Sequence, residues 1–177
     1  MEKINEIVEI DGRKVVMINN KRVTPRKGFE WSEIKKELKK YVGKSYIVEC
    51  SKDLIKIGAD FSNEYCHSKD TYHLKGSGRR TKAQIINAIP QLIKASYNKR
   101  YSKDYKDKHG NKAKLGWVYF DVDFLIPVIS ESGTKSERTY IAKILIRLNK
   151  NNQLYLYDIV RIQKRGVRPA LDDCVKR

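Results

Sequence analysis

The sequence is poor in cysteine, histidine and proline, and it has no long apolar run. The 177 residues include 3 cysteines, 3 histidines and 4 prolines. The cysteines lack the C-x-x-C spacing of zinc sites and form no disulfide framework. No stretch approaches the ~20 apolar residues of a membrane span, and the charged start MEKINEIVEI has no signal-peptide core. These absences predict a protein that acts away from membranes in a reducing aqueous compartment, where it either folds or is delivered by something that the chain does not encode.

Acidic residues are also scarce relative to basic ones. The chain has 38 lysine and arginine residues against 21 aspartate and glutamate residues, which gives a formal net charge of +17. Residues 1–66 hold 14 basic and 11 acidic residues, a net charge of +3, whereas residues 67–177 hold 24 and 10, a net charge of +14. Such a charge attracts polyanions by counterion release. On charge alone the partner is a nucleic acid, a membrane surface or an acidic protein.

Local patterns in the first third predict two hairpins and a helix. Asp11-Gly12 between two β-branched runs is a strong hairpin signal. Apolar residues recur at helical spacing from Trp31 to Val42, and a second hairpin is expected within residues 46–57. We expect residues 1–45 to form a small N-terminal β-rich appendage of a hairpin plus a helix, and residues 46–177 to form a basic domain.

The remaining residues predict helices followed by strands. Residues 58–80 are polar and predict irregular structure. Thr81 and Gln84 then match a capping box, which predicts the start of a helix at Thr81. Pro90 is expected to kink or break that helix. Three aromatic and β-branched runs then predict an antiparallel meander: Trp117–Ile129, Thr139–Leu148 and Leu154–Gln163. The expected fold is α+β, with helices packed on an antiparallel β-sheet.

The segment of residues 66–80, CHSKDTYHLKGSGRR, concentrates residue types that phosphodiester chemistry uses. RNA cleavage by 2′-OH attack needs a base, an acid and cations on the developing phosphorane. His67 is a candidate base or acid, Lys69 a candidate phosphorane ligand, and Ser68 and Thr71 candidate donors to a phosphate oxygen. A polar surface loop is an equally good interpretation of any one of them. Further candidate phosphate ligands follow in the sequence: Lys75, Arg79, Arg80 and Lys82.

Residues 99–114 contain seven basic and two acidic residues and predict a solvated loop. His109 lies within this run, where neighbouring cations favour its neutral form. A neutral base beside phosphate-binding cations suits transesterification, although a solvated charge run with an incidental histidine is the plainer alternative. Candidate RNA ligands in this loop are Lys99, Lys112 and Lys114.

Two patterns in the predicted strands point to different chemistry. Asp121 and Asp123 have the D-x-D spacing of metal-dependent nucleases, and Asp158 offers a third carboxylate. Carboxylates at strand ends also commonly pair with lysine or arginine. The final strand places aromatic and polar side chains on one face, which suits stacking of bases and contact with a phosphate backbone: Tyr155, Tyr157, Arg161 and Gln163. Lys164 is a further candidate ligand there.

These motifs, in this order over residues 46–164, resemble nuclease domains of the barnase/EndoU/colicin/RelE-like fold. Such domains lie at the C-terminal ends of phage and prophage polyvalent proteins and of polymorphic toxins. The resemblance is carried by short runs of the sequence: Ser68-Lys69-x-Thr71, Asn98-Lys99, Lys108-His109, Ala113-Lys114-x-Gly116-Trp117, Asp121 and Tyr155-Leu156-Tyr157-Asp158.

The resemblance implies two helices packed on an antiparallel sheet, metal-independent RNA cleavage without a cofactor, and often a cognate immunity protein. It makes Ser68, Lys69, Thr71, His109 and Tyr157 active-site candidates. The position of His67 holds other residues in the family, which favours His109 as the essential base and makes His67 an accessory.

From the sequence we expect a metal-independent endoribonuclease, a toxin domain that cleaves RNA in the bacterial cytoplasm, with tRNA among its candidate substrates. One alternative is a non-catalytic, basic nucleic-acid-binding module that keeps the fold. A second alternative is a metal-dependent DNase built on the three aspartates.

Overall fold

The computed structural model of the chain describes residues 5–19, 30–103 and 115–170. The strands within these ranges are β1 (Glu6–Ile10), β2 (Arg13–Met17), β3 (Ser45–Ile47), β4 (Leu54–Lys56), β5 (Tyr97–Ser102), β6 (Gly116–Ile129), β7 (Lys135–Leu148) and β8 (Leu154–Pro169). The helices are α1 (Trp31–Leu38), α2 (Phe61–His67), α3 (Lys69–His73), α4 (Gly76–Gln84) and α5 (Ile89–Ala95).

The strands form one mixed sheet in the order β1-β2-β6-β7-β8-β4-β3, and β5 pairs with the first half of β6. The predicted meander is confirmed, because β6, β7 and β8 pair antiparallel in chain order. Both predicted hairpins are confirmed as well, and positive φ angles at Asp11 and Gly12 make the tight turn of the first. Two parallel pairings, β2 with β6 and β4 with β8, were not predicted.

The fold is α+β, and the helices cover one face of the sheet. Side chains that alternate along β6, such as Phe120, Val122 and Phe124, are buried against them. The helices contribute apolar residues including Leu38 and Ile89 to the same core cluster. The N-terminal hairpin is hydrogen-bonded to β6 and supplies Val16 to that core. The boundary proposed at residue 45 stays a prediction.

Two expectations about the middle of the chain were wrong. Residues 58–80 are not irregular, because they form α2, α3 and the first part of α4. The helix predicted to begin at Thr81 begins at Gly76, and the Thr81 hydroxyl donates to the carbonyl of Ser77 within it. The break at Pro90 is confirmed: a 3-10 turn over Ile85–Ala88 separates α4 from α5, whose first turn contains the proline.

The basic loop starts later than predicted, because residues 99–102 belong to β5. Residues 104–114, which hold the rest of that loop, lie outside the described ranges. Among the described helices, none has both the length and the apolar character needed to span a membrane.

Candidate functional site

Ser68 lies at the junction of α2 and α3, where its side chain makes three hydrogen bonds. It is the N-cap of α3 and accepts from the backbone N–H of Thr71 at 3.2 Å. Its hydroxyl donates to Oδ2 of Asp158 on β8 at 2.6 Å and lies 3.0 Å from the Thr71 hydroxyl. The Thr71 hydroxyl in turn donates to the carbonyl of Tyr65 at 2.6 Å. These bonds attach the α2–α3 junction to the sheet.

Asp158 and Lys82 form the centre of this buried network. Both side chains are 0% exposed, and Lys82 Nζ lies 2.8 Å from Asp158 Oδ1 and 3.3 Å from Asp70 Oδ2. The lysine also lies over the Tyr65 ring, 4.8 Å from its centroid. Burial raises the pKa of Asp158 to about 6, against the opposing effects of Lys82, Ser68 and the Ile159 backbone N–H. The carboxylate is satisfied wholly by protein groups.

The network corrects three sequence predictions. Lys82 is fully buried and ion-paired, so it is not available to bind RNA. Ser68 and Thr71 are 8% and 3% exposed, and their hydroxyl groups bond inside the protein. Polarity in the sequence predicted exposure of these residues, but their polar atoms are paired across the helix–sheet contact.

The other candidates from residues 66–80 lie on the helical side of the molecule. His67 is exposed at the C-terminal end of α2, with its ring 6.2 Å from that of Tyr72. Lys69, Lys75 and Arg80 are exposed as well. Arg79 is half-buried and lies over the Trp31 ring at 5.7 Å. On β5, Lys99 is exposed but forms an ion pair with Asp53 at 2.9 Å.

The opposite face of the sheet has an aromatic pair at one end. The rings of Trp117 on β6 and Tyr157 on β8 meet edge to face, 4.9 Å between centroids. The guanidinium carbon of Arg147 on β7 lies 5.6 Å from the Tyr157 centroid. Arg147 is 5% exposed and binds Asp60 through both terminal nitrogens, at 2.9 and 3.1 Å. This pairing fixes a cation beneath a half-exposed aromatic surface.

Tyr157 is further fixed through its hydroxyl group. Burial raises its pKa well above the ordinary value for tyrosine, and a hydrogen bond with Glu64 of α2 acts in the same direction. The hydroxyl therefore stays protonated at neutral pH. The residue can stack or donate a hydrogen bond, and it does not act as an anion.

The three carboxylates of the metal-dependent alternative do not meet. Asp158 is buried on the helical side, whereas Asp121 and Asp123 alternate onto the other face of β6. Arg100 binds Asp121 through two nitrogens at 2.7 and 2.9 Å, and this bond lowers the pKa of that carboxyl group. Tyr97 donates to Asp123 at 2.9 Å. In the described part of the chain, no three His, Cys, Asp or Glu side chains form a metal-binding group.

Two adjoining clefts run along this open face, away from the aromatic pair. The smaller, about 260 Å³, is lined by Lys143, Arg161, Gln163 and Arg165, with Asp121 at its side. The larger, about 680 Å³, shares Arg165. Its other charged side chains are Arg13, Arg168, Asp11 and Asp123. Because Asp121 and Asp123 already have protein partners, the clefts present more positive than negative charge.

The structure thus divides the predicted residues between two sides. Tyr157 and Arg161 lie on the open face, whereas His67 and Lys69 lie among the helices. Lys164 is exposed on β8. Three predicted residues, His109, Lys112 and Lys114, lie outside the described ranges.

Sequence reasoning missed several residues of the open face: Lys143, Arg147, Arg165 and Arg168. The alternation of β7 gave a usable signal for Lys143 and Arg147, because each is the polar neighbour of a buried isoleucine. No such signal existed for Arg165, whose placement depends on how β8 pairs with β7. A comparison of the chain with known protein families, with characterised proteins and with solved structures finds no match.

Proposed function

We propose that the chain binds single-stranded RNA across the open face of its sheet. One observation carries the proposal: the Trp117–Tyr157 pair, with Arg147 against the Tyr157 ring, lies on the same face of the sheet as a cleft lined by Lys143, Arg161 and Arg165. Aromatic rings stack on bases of any sequence, and a cationic groove follows the backbone. The net charge of +17 adds attraction at longer range.

The arrangement favours a single strand over a duplex. Stacking on Tyr157 requires an unpaired base that can leave its neighbours. Sequence reading of duplex DNA uses a helix or a two-stranded ribbon inserted into the major groove, whereas the cations here lie across the face of a wide sheet. A flexible strand can follow such a surface.

The binding experiment compares a labelled oligouridine with a DNA duplex of equal length by fluorescence anisotropy. We expect tighter binding of the single strand, and loss of that preference in Trp117→Ala/Tyr157→Ala. The matched control is Tyr72→Ala, which removes a ring that is 71% exposed on the helical side. Equal affinity for both nucleic acids in all proteins would contradict the proposal.

Metal-independent RNA cleavage, at a site that includes His67 and Lys69 on the helical side, is a second candidate function. In its favour, His67 is exposed and Lys69 follows two residues later, also exposed. The resemblance to barnase/EndoU/colicin/RelE-like nucleases supplies His109 as the second acid or base. Attack by the 2′-OH on the adjacent phosphorus breaks the P–O5′ bond and leaves a 2′,3′-cyclic phosphate. One histidine would remove the proton of the 2′-OH, and the other would protonate the leaving 5′ oxygen.

The cleavage experiment incubates total RNA with the protein in EDTA. We expect fragments with cyclic phosphate ends from the wild-type protein, and loss of cleavage in His109→Ala with a smaller effect of His67→Ala. A substrate with a single 2′-deoxy position serves as the control, because that position has no nucleophile. If the RNA stays intact with the wild-type protein, the cleavage proposal is contradicted and the non-catalytic binding module stands.

A toxin role and a cognate immunity protein belong to the same second candidate. Expression of the chain in the cytoplasm of bacteria that lack a partner gene is expected to arrest their growth. Arrest that persists in the His109→Ala variant would point to sequestration of RNA by binding. Normal growth with the wild-type protein would contradict the toxin role.

A further inference from the structure

β8 carries three bulges, and each one falls at a residue of the open face. The register between β7 and β8 shifts at three places, and each time β8 holds one residue more than β7. Tyr157 is the extra residue between the partners of Ile146 and Leu145, and Arg165 is the extra residue between the partners of Tyr140 and Thr139. Bulges bend a strand and redirect side chains, and they are frequent beside functional sites.

The middle bulge includes Arg161, whose backbone has a φ of 51°. This left-handed conformation costs a residue with a Cβ atom roughly 1–2 kcal/mol. Asp70 of α3 holds it in place, because its Oδ1 accepts from the Arg161 backbone N–H at 3.2 Å. The other oxygen of Asp70 contacts Lys82 in the buried network. A strained, non-glycine residue fixed from a neighbouring element indicates that the direction of its side chain matters.

The bulges bring cations together on the face of the sheet. Arg161 and Arg165 line the smaller cleft with Lys143 of β7 and the amide of Gln163. Within the described ranges, Lys143, Arg161 and Arg165 form no ion pair with a carboxylate. Asp121, the acidic residue of this cleft, is held by two nitrogens of Arg100. Three cations without an ion pair within 4.0 Å in the described part of the chain therefore surround one cleft, an arrangement that suits an anion.

We infer that Lys143, Arg161 and Arg165 form the binding site for one backbone phosphate of the RNA strand. The inference rests on the proposed function and specifies where the strand lies. Tyr157 and Arg161 are four residues apart on β8, at most about 13 Å along an extended strand. A base stacked on Tyr157 therefore lies within a few nucleotides of the bound phosphate, and the strand runs along β8 toward Arg165.

Asp70 is the positioning residue of this site. It does not face the phosphate; it acts through the Arg161 backbone, whose bulge it stabilises from α3. Removal of the acceptor frees the backbone of Arg161 to relax from its strained conformation, which turns the guanidinium away from the cleft. The amide oxygen of asparagine can still accept the bond, so Asp70→Asn preserves the site and Asp70→Ala does not.

The experiment measures the salt dependence of oligouridine binding. A lost phosphate contact makes the slope of log association constant against log salt shallower by about 0.7. We expect this change, with affinity about tenfold weaker at low salt, in Arg161→Ala/Arg165→Ala. The matched control is Lys36→Ala/Lys39→Ala, which should keep the wild-type slope. It removes the same charge from two exposed lysines, one in α1 and one directly after it.

The Asp70 variants provide the second readout. Asp70→Ala is expected to shift the slope as the arginine variant does, and Asp70→Asn is expected to restore it. Circular dichroism establishes that each variant is folded, and Arg161→Gly replaces Arg161→Ala if the alanine variant unfolds.

Failure of the wild-type protein to bind oligouridine would overturn both the proposed function and this inference. Binding with the same slope in the arginine and control variants would overturn the inference alone.

Discussion

The Tyr157 side chain makes three contacts: an edge-to-face contact with Trp117, a contact with the guanidinium of Arg147 and a hydrogen bond with Glu64. Together they hold the ring in one orientation while part of it stays open to solvent. A ring that is fixed before binding loses little conformational entropy when a base stacks on it. Tyr157 is therefore the residue whose removal tests stacking most directly.

We predict that Tyr157→Ala weakens oligouridine binding about tenfold, because one base stack contributes about 1–3 kcal/mol. Tyr157→Phe keeps the ring and should retain most of the affinity. Fluorescence anisotropy titrations measure both, with Tyr72→Ala as the control. Equal losses in the phenylalanine and alanine variants would assign the effect to the hydroxyl group.

Asp158 leads to a prediction about pH. Burial raises its pKa from 3.8 to about 6 in the folded protein, so the folded state holds the proton more tightly than the unfolded chain does. The contribution of this group to the free energy of unfolding therefore falls as pH rises from 3.8 to about 6. In Asp158→Asn that decline should vanish. Urea unfolding at several pH values gives both curves, and parallel curves would refute the prediction.

The α3 helix has only five residues and owes its position to Ser68. Because Ser68→Ala removes an N-cap and leaves Asp158 short of one donor, it should lower the free energy of unfolding by about 1–3 kcal/mol. The control is Ser77→Ala, an exposed position in α4, with a change within about 0.5 kcal/mol. Urea unfolding measures both. If Ser68→Ala abolishes RNA cleavage while the protein stays fully folded, the hydroxyl has a catalytic role beyond this network.

Substitutions at the middle bulge of β8 separate the effect of Arg161 on stability from its effect on RNA binding. Glycine adopts a φ of 51° without strain, so Arg161→Gly should be more stable than Arg161→Ala by about 1 kcal/mol. Both variants lack the guanidinium and should bind oligouridine equally weakly. Thermal or urea unfolding decides the first point. A glycine variant less stable than the alanine variant would show that the bulge is not strained.

Elements with a local signal could be predicted from the sequence, and those without one could not. The turn at Asp11-Gly12 and the alternation along β6 and β7 depend on neighbouring residues, and they were predicted correctly. The helices α2 and α3 are too short to be stable alone. Their stability comes from distant contacts, such as that of Ser68 with Asp158.

The candidate site divides in the same way. Tyr157 and Arg161 could be identified from the composition of β8, because aromatic and cationic residues alternate there. Their companions Arg147 and Arg165 come from pairing and register across strands. Polar residues in a helix-rich segment were assigned to solvent, but Lys82 pairs with a carboxylate from the other end of the chain.

For the whole molecule, the net charge of +17 predicts a steep salt dependence of RNA binding. Three to five phosphate contacts along the clefts give a slope between about −2 and −3.5 for a single strand. Anisotropy titrations at several salt concentrations measure it. An uncharged oligonucleotide analogue of the same sequence is the control and should show almost no slope. A flat response with RNA would mean that stacking, and not charge, dominates binding.

The parallel pairings of β2 with β6 and of β4 with β8 also set the order in which the molecule can fold. During synthesis the N-terminal strands leave the ribosome long before the strands that they pair with. Until β6 and β8 arrive, both hairpins lack a partner for one edge, and two-stranded hairpins are at best marginally stable alone. Contacts between distant parts of a chain slow folding. The C-terminal meander is therefore the first large unit that can assemble, and the N-terminal strands join it afterwards.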